Sequence, residues 1–283
     1  MSNSEFVLLD GQIYPKGEPL FTHDNRAFKY GDGVFETIKV ADGKVRLLNE
    51  HFERLKDSAE YLQLILPKGF NKSFFEKKIL ELTEKNEISD KARVRFSLFR
   101  ADGGLYEPES NDARYLIEAD KFPRKGYTLN RKGLNTDLFT TVEKPIGLYS
   151  NLKSCNSLPF VLASLHKKNK GLDNCLITNT KNRVAEAISS NIFLVIKDKV
   201  YTPPLAEGCV AGVMRAKVLD LLEENEIPFE ECPITLEELF TADEVFITDS
   251  INGIRWVGNY KIKEYGMNLT KEISGLLDKK LNK

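Results

Sequence analysis

Lys153 stands in a setting suited to covalent chemistry. It lies in Leu152-Lys153-Ser154-Cys155-Asn156-Ser157-Leu158, between a loop at 147–151 and an amphipathic helix. In that helix Leu158, Val161, Leu162 and Leu165 fall at i, i+3, i+4 and i+7, the spacing of one apolar face. Asn156 or Ser157 can cap it, and Pro159 is tolerated in its first turn. A lysine held there is fixed in direction, as an enzyme that binds an aldehyde cofactor through a lysine Schiff base requires. Taken alone, such a segment more often carries a solvated lysine. The partners must come from elsewhere in the chain.

Four further features supply them. Arg54 sits at the flank of a helical apolar stripe made by Phe52, Leu55, Ala59 and Leu62, where its planar fork can reach a phosphate. Glu186 ends a short strand and shares the parity of Val184, so it is expected to point inward, where a carboxylate can keep a pyridine nitrogen protonated. Val210-Ala211-Gly212-Val213-Met214-Arg215 opens a helix whose first N–H groups can bind a phosphate. Phe246-Ile247-Thr248-Asp249-Ser250-Ile251-Asn252-Gly253 is an apolar strand running into a hydroxyl-bearing turn. There Ser250 offers a phosphate hydrogen bond and the turn amides offer a carboxylate site. Each feature has an ordinary alternative: a surface arginine, an edge glutamate, a helix that begins with glycine, a polar turn. Together they are the parts needed to hold pyridoxal 5′-phosphate.

The elements that must position these residues follow from pattern. Asp10-Gly11 and Asp42-Gly43 are two-residue hairpin signals, each flanked by apolar runs. Asn49 is expected to cap the helix that carries Arg54, and a second helix covers Ser73 to Lys85. Val94, Phe96 and Leu98 alternate with polar residues, a half-buried strand, and Arg114 to Ala119 reads as another. Residues 121–125, with Pro123, form the expected linker between a small domain (1–120) and a larger one (126–283). The larger domain mixes strands at 175–178, 184–186 and 192–196 with helices at about 158–168, 213–224 and 268–279. Both domains are expected to be α/β with mixed sheets.

Composition narrows the function. The 283 residues carry 41 basic and 42 acidic side chains, a net charge of −1, with no basic stripe. Nucleic acid and membrane surfaces are therefore not the expected partners. The N-terminal residues lack a basic, apolar leader pattern, so no secretory signal is expected, and no apolar run reaches membrane-spanning length. The four cysteines form no CxxC pair, so free thiols in the cytoplasm are expected. The three histidines have no metal-ligand spacing, and no metal is expected.

The sequence resembles the class IV aminotransferases, pyridoxal-phosphate enzymes of fold type IV, over nearly its whole length. The motifs are Tyr30-Gly31-Asp32-Gly33-Val34-Phe35-Glu36, His51-Phe52-Glu53-Arg54-Leu55, Lys153-Ser154-x-Asn156-x-Leu158, Glu186 with Ser190-Asn191-Ile192-Phe193, Tyr201-Thr202-Pro203, Gly212-Val213-Met214-Arg215 and Asp243-Glu244-Val245-Phe246. They follow in the family's order. The resemblance implies that Lys153 is the Schiff-base lysine and general base and that Glu186 partners the pyridine nitrogen. Arg54, Val213, Met214 and Ser250 become phosphate ligands, and Val210 packs on the cofactor ring. It also implies a small N-terminal α/β domain, a larger barrel-like C-terminal domain and a homodimer acting on a small amino substrate.

Within the family, the sequence leans toward aminodeoxychorismate lyase, which releases pyruvate and leaves 4-aminobenzoate for folate synthesis. Phe35 resembles the lyases where D-amino-acid aminotransferases have tyrosine, and Thr37 shares its strand face. Gly212-Val213-Met214-Arg215 is closer to the lyase Gly-Ile-Met-Arg than to the aminotransferase Gly-Ile-Thr-Arg. Branched-chain or D-amino-acid transamination is the alternative, and a member that only binds is a third. Tyr106, Ile251, Asn252 and Arg255 are further candidates for the substrate pocket, with Arg100 or Arg255 as a carboxylate ligand.

Overall fold

The computed structural model describes residues 5–281. The chain forms two compact units: residues up to Lys125 together with Lys153–Asn156, and Gly126–Leu152 together with the chain from Ser157 onward. Residues 121–125, read from sequence as a linker, fall in the first unit, whose last strand runs on to Lys121.

The first unit comprises β1 (Phe6–Leu9), β2 (Gln12–Pro15), α1 (Arg26–Tyr30), β3 (Gly33–Ala41), β4 (Lys44–Val45), α2 (Leu48–Tyr61), α3 (Lys72–Lys85), β5 (Lys91–Arg100) and β6 (Ala113–Lys121). Among the described residues its strands make one six-stranded sheet, in the order β2-β1-β6-β5-β3-β4. Every pairing in it is antiparallel. Asp10 and Gly11, like Asp42 and Gly43, have both residues at positive φ. That is the turn geometry whose twist matches flanking antiparallel strands.

One face of this sheet is core. Val34, Ile38 and Val40 on β3 and Val94, Phe96 and Leu98 on β5 are buried there. Phe52, Leu55 and Ala59 of α2 and Phe75, Ile79 and Leu82 of α3 are buried with them. Full burial of a leucine or isoleucine of this kind contributes about 1.5–3 kcal/mol. The opposite face, by the period of two, carries Phe35 and Thr37.

Asn49 does not cap α2. Leu47, at φ 53°, takes that place without a side-chain cap, and its carbonyl accepts the His51 N–H at 3.0 Å. The helix therefore begins before the polar signal, and Asn49 lies in its first turn. Asn71, by contrast, caps α3 by accepting the Phe74 N–H at 2.9 Å.

The second unit begins with β7 (Leu134–Lys144), α4 (Leu148–Asn151), α5 (Leu158–Lys170), β8 (Asn174–Asn179), β9 (Val184–Ala187), β10 (Asn191–Ile196) and β11 (Lys199–Thr202). It continues with α6 (Val213–Glu224), β12 (Phe229–Glu231), α7 (Leu236–Thr241), β13 (Glu244–Asp249), β14 (Gly253–Tyr260), β15 (Lys263–Glu264) and α8 (Asn268–Leu281). Its mixed sheet runs β12-β11-β10-β13-β14-β7-β8-β9, with β15 paired to β14. Leu176, Ile192, Leu194, Val245, Ile247 and Val257 centre its main core. The chain forms the expected α/β class, but only the second unit's sheet is mixed. The first unit's sheet, expected to be mixed, is wholly antiparallel because its strands are joined by hairpins and antiparallel returns.

Helix α5 packs on β7 and β8 through Ala163 and Phe160, which join Phe139, Cys175 and Ile177. The apolar stripe read from its sequence lies elsewhere on the helix. Leu158, Val161, Leu162 and Leu165 are 66%, 51%, 37% and 53% exposed. The helix has two apolar faces, and among the described residues the narrower one is covered while the wider stays exposed.

Candidate active site

In the first unit, Lys153 is held by its backbone. Its carbonyl accepts the Phe35 N–H at 2.9 Å, and the Cys155 N–H donates to the Gly33 carbonyl at 2.9 Å. Val34 and Ser154 form an antiparallel bridge between these bonds. The Asn156 amide then donates to the Gly31 carbonyl at 3.1 Å, so Asn156 serves this attachment. Ser157 is the N-cap residue of α5, without a side-chain cap. Lys153 is thus fixed as an extra short strand beside the start of β3, and its ammonium lies 4.7 Å from the centroid of the Phe35 ring.

The same ring carries a second cation. The Arg95 guanidinium stacks 3.5 Å from the Phe35 centroid. Arg95 is directly opposite Thr37 in the β3–β5 ladder, and Ser97 is opposite Phe35, so all four share one face. Arg95 Nε donates to Ser97 Oγ at 3.1 Å. Burial pushes the neighbouring Cys155 thiol up despite Arg95, which favours the neutral thiol over a thiolate nucleophile. Arg95 was missed in the sequence because it sits in an alternating strand like any outward-facing polar residue; only the ladder register places it beside Phe35.

On the opposite, core side of that sheet, Arg54 is gripped by Glu36. Arg54 Nε donates to Glu36 Oε1 at 2.8 Å, and its Nη2 bonds Oε2. Oε2 also meets His51 Nδ1 at 2.6 Å, and all three side chains are largely withdrawn from solvent. Burial alone would raise the Glu36 carboxyl, but Arg54 and His51 outweigh it and hold it at about 2. Burial pushes the His51 ring down, against the pull of Glu36. A neutral His51 with its hydrogen on Nδ1 fits both facts.

In the second unit Glu186 is buried on β9, but not through the parity it shares with Val184. A register shift puts Glu186 opposite Ile177 and Val184 opposite Thr178, on opposite faces, and all four residues of the strand are buried. Its Oε2 accepts the Val210 N–H at 2.9 Å, and its Oε1 is bonded by Lys144 Nζ. Lys144, at the end of β7, is a partner that no motif announced.

Val213 and Met214 are the first two residues of α6 and both are buried. Gly212 precedes them as the N-cap residue, so no N-cap side chain covers the first-turn N–H groups, which a bound anion could accept from. A Cβ on Gly212 would lie 1.9 Å from Asn191 Oδ1. Asn191 donates to the Val210 carbonyl at 2.8 Å and pairs in register with Thr248. The Thr248 hydroxyl is buried without a hydrogen-bond partner. An uncapped helix start, a glycine that must stay bare and an orphaned hydroxyl on the strand next to Asn191 suit a phosphate.

The turn after β13 holds Ser250, Ile251 and Asn252. The amides of Ile251 and Asn252 donate to Asp249 Oδ1 at 3.0 and 2.8 Å. The carboxylate this turn holds is therefore the chain's own. Arg255 Nη2 bonds Asp249 at 3.1 Å and Ser190 Oγ at 3.2 Å, which commits it to the same turn. Arg100 is corrected as a carboxylate ligand for substrate. It is buried, with Nε on Asp32 at 2.9 Å, Nη1 on Asn111 and Nη2 on the Leu62 carbonyl. Arg26 joins it on Asp32 at 2.9 Å and reaches the carbonyls of Gly103 and Leu105, so this cluster clamps the 101–112 loop. From that loop Tyr106 projects, 90% exposed, its ring 5.6 Å from that of Tyr30.

Comparison with known proteins adds the family context. Residues 33–260 match the model of the family described as amino-transferase class IV. The chain is 28% identical over 261 residues to D-alanine aminotransferase of Bacillus licheniformis, covering 86% of this chain and 84% of that one. It is 28% identical over 262 residues to aminodeoxychorismate lyase of Vibrio harveyi, with 90% and 94% covered. The crystal structure of a branched-chain aminotransferase from Thermoproteus uzoniensis with norvaline superposes with a TM-score of 0.86. It covers 96% of this chain and 93% of that one at 25% identity.

Proposed function

The chain belongs to the class IV aminotransferase family, pyridoxal-phosphate enzymes of fold type IV, and from that premise we propose that it is an aminodeoxychorismate lyase releasing pyruvate and 4-aminobenzoate. The observation that carries this reading is the face shared by Phe35, Thr37 and Arg95, with the Lys153 ammonium 4.7 Å from the Phe35 ring. That face offers a cation for a substrate carboxylate and a hydroxyl beside it. It lacks the phenol that a tyrosine in place of Phe35 would bring. The Met214 side chain, where transaminases resemble threonine, points the same way.

Pyridoxal 5′-phosphate supplies an aldehyde that condenses with amines and a ring that accepts electron density. The residues present fit it. Lys153 would be the residue that anchors it covalently, and its amine would serve as the base for the substrate's proton. Glu186 would partner the ring nitrogen and Val210 would pack on the ring. By the family resemblance, Arg54, the Val213 and Met214 amides and Ser250 would be its phosphate ligands. Arg95, 4.0 Å from Glu118, would offer its guanidinium to a substrate carboxylate, which suits a small acidic amine.

Transamination of a branched-chain or D-amino acid is the second reading, favoured by the coverage of a D-alanine aminotransferase along 84% of its length. The working form is proposed to be a cytoplasmic homodimer, supported by four free cysteines and by the uncovered apolar stripe of α5.

Purified enzyme given aminodeoxychorismate should form pyruvate and 4-aminobenzoate together. Conversion of the cofactor to its pyridoxamine form by simple amino acids, with no 4-aminobenzoate, would establish the second reading instead.

A further inference from the structure

We infer that Glu36 and His51 are positioning residues that aim Arg54 at the cofactor phosphate. The inference rests on the reading of Arg54 as a phosphate ligand and assigns work to two residues that have none there. Arg54 belongs to α2 and Glu36 to β3, so the orientation of the guanidinium depends on a contact between two elements. Glu36 supplies it by taking Nε and Nη2 together, a side-on grip that fixes the plane of the fork. A long arginine side chain without such a grip samples many rotamers, and ordering it on binding weakens the contact.

His51 orients the gripping carboxylate. It lies three residues before Arg54, one helical turn back on α2, so both side chains reach the same strand residue. Its Nδ1 meets Glu36 Oε2 at 2.6 Å, while its Nε2 is buried with no hydrogen-bond partner. The ring is fully buried, so this single bond to Glu36 is its polar contact within the described residues. A leucine would fill that space without leaving a polar atom unsatisfied. A histidine retained there serves the carboxylate.

Charge alone gives the opposite expectation. Glu36 neutralises Arg54, so removing its charge should strengthen attraction for a phosphate. Position and charge therefore predict changes of opposite sign, and one measurement separates them. The cofactor-free protein is titrated by fluorescence with pyridoxal 5′-phosphate and with pyridoxal, which lacks the phosphate. The ratio of the two dissociation constants isolates the phosphate contact.

Glu36→Gln should lower the preference for the phosphorylated form by about tenfold, the size of one weakened charge-assisted contact, with pyridoxal affinity retained. His51→Leu should lower it less, and His51→Asn, which restores a donor near Nδ1, should recover it. A preference that is unchanged or raised in Glu36→Gln, or a parallel loss for both ligands, overturns the inference. If Glu36→Gln does not fold, the His51→Leu and His51→Asn pair decides: equal preferences in the two overturn it. Arg54→Met is the control for the underlying reading. If it keeps the full preference for the phosphate, that reading fails and the inference falls with it; if Arg54→Met loses the preference while Glu36→Gln keeps it, only the inference falls.

Discussion

Lys144 and Glu186 form a buried ion pair: the lysine ammonium bonds Oε1 while Oε2 accepts the Val210 N–H. The side chains are 11% and 3% exposed, so neither charge is solvated well enough to stand alone. Removing one partner from such a pair costs about 3–5 kcal/mol, because the survivor remains buried without a countercharge. Lys144→Met should therefore reduce the unfolding free energy by that order in urea denaturation of the cofactor-free protein. Lys144→Arg should keep most of it. A Lys144→Met protein as stable as wild type would show that Glu186 is solvated or protonated in the folded chain.

Gly212 and Thr248 should respond in opposite ways. Gly212→Ala places a Cβ 1.9 Å from Asn191 Oδ1, and moving Asn191 disturbs its bond to the Val210 carbonyl. The φ of Gly212 is −72°, so the obstacle is space and not backbone strain. Overpacking of this kind costs about 1–3 kcal/mol, and cofactor affinity should fall with stability. Thr248→Val removes a buried hydroxyl that has no partner. The cofactor-free protein should lose nothing and gain up to about 1 kcal/mol, since an unsatisfied polar group is relieved, while affinity for pyridoxal 5′-phosphate drops. Thermal melts with and without cofactor separate the two effects. A Thr248→Val protein that binds the cofactor as tightly as wild type would remove this hydroxyl from the phosphate site.

How far the sequence exposes this depends on whether a residue's role is local. The two Asp-Gly hairpins follow from short-range rules of turn geometry, whereas the inward face of Glu186 does not follow from parity with Val184, because a bulge lies between them. Nor does Leu47 as the start of α2 follow from such rules, because a left-handed leucine is no sequence signal for a cap. The role of Arg95 depends on which residue of the neighbouring strand lies opposite, and that of Lys144 on Glu186 of β9, beyond the intervening β8; spacing within one strand says nothing of either. Arg100 misleads for the same reason: its partners, Asp32, Asn111 and the Leu62 carbonyl, come from three separate segments. The α5 stripe has the right period, and the helix nevertheless turns a different face to the sheet.

Acid should destabilise the first unit through Glu36 and His51. The Glu36 carboxyl titrates at about 2 in the folded chain against 4.5 ordinarily. The unfolded chain binds the proton first as pH falls, so the stability Glu36 brings is complete above the ordinary value and is lost as pH drops toward 2. The difference is worth roughly 3 kcal/mol. His51 is pushed below 6.5 by burial, so it too favours unfolding as pH falls under that value. Denaturation midpoints of wild type and His51→Asn should therefore lie furthest apart at pH 7 and draw together as pH falls below 6.5. Parallel curves would show that His51 does not change its proton affinity on folding.

The exposed stripe of α5 predicts the assembly. Leu158, Val161, Leu162 and Leu165 form a continuous face on one helix, and Leu148 and Tyr149 of α4 add further exposed apolar surface just before it. Scattered apolar residues on a surface are ordinary, but a contiguous helical row marks a contact site. A two-fold pairing of like faces would cover it in a homodimer. Val161→Glu with Leu165→Glu should then turn a dimer into a monomer in sedimentation velocity, because two carboxylates buried at a symmetric contact become four in the pair. The intrachain contacts of α5 run through Phe160 and Ala163, so the monomer should keep its helix content by circular dichroism. A double variant that sediments as wild type would place the dimer contact elsewhere and leave this stripe to another partner.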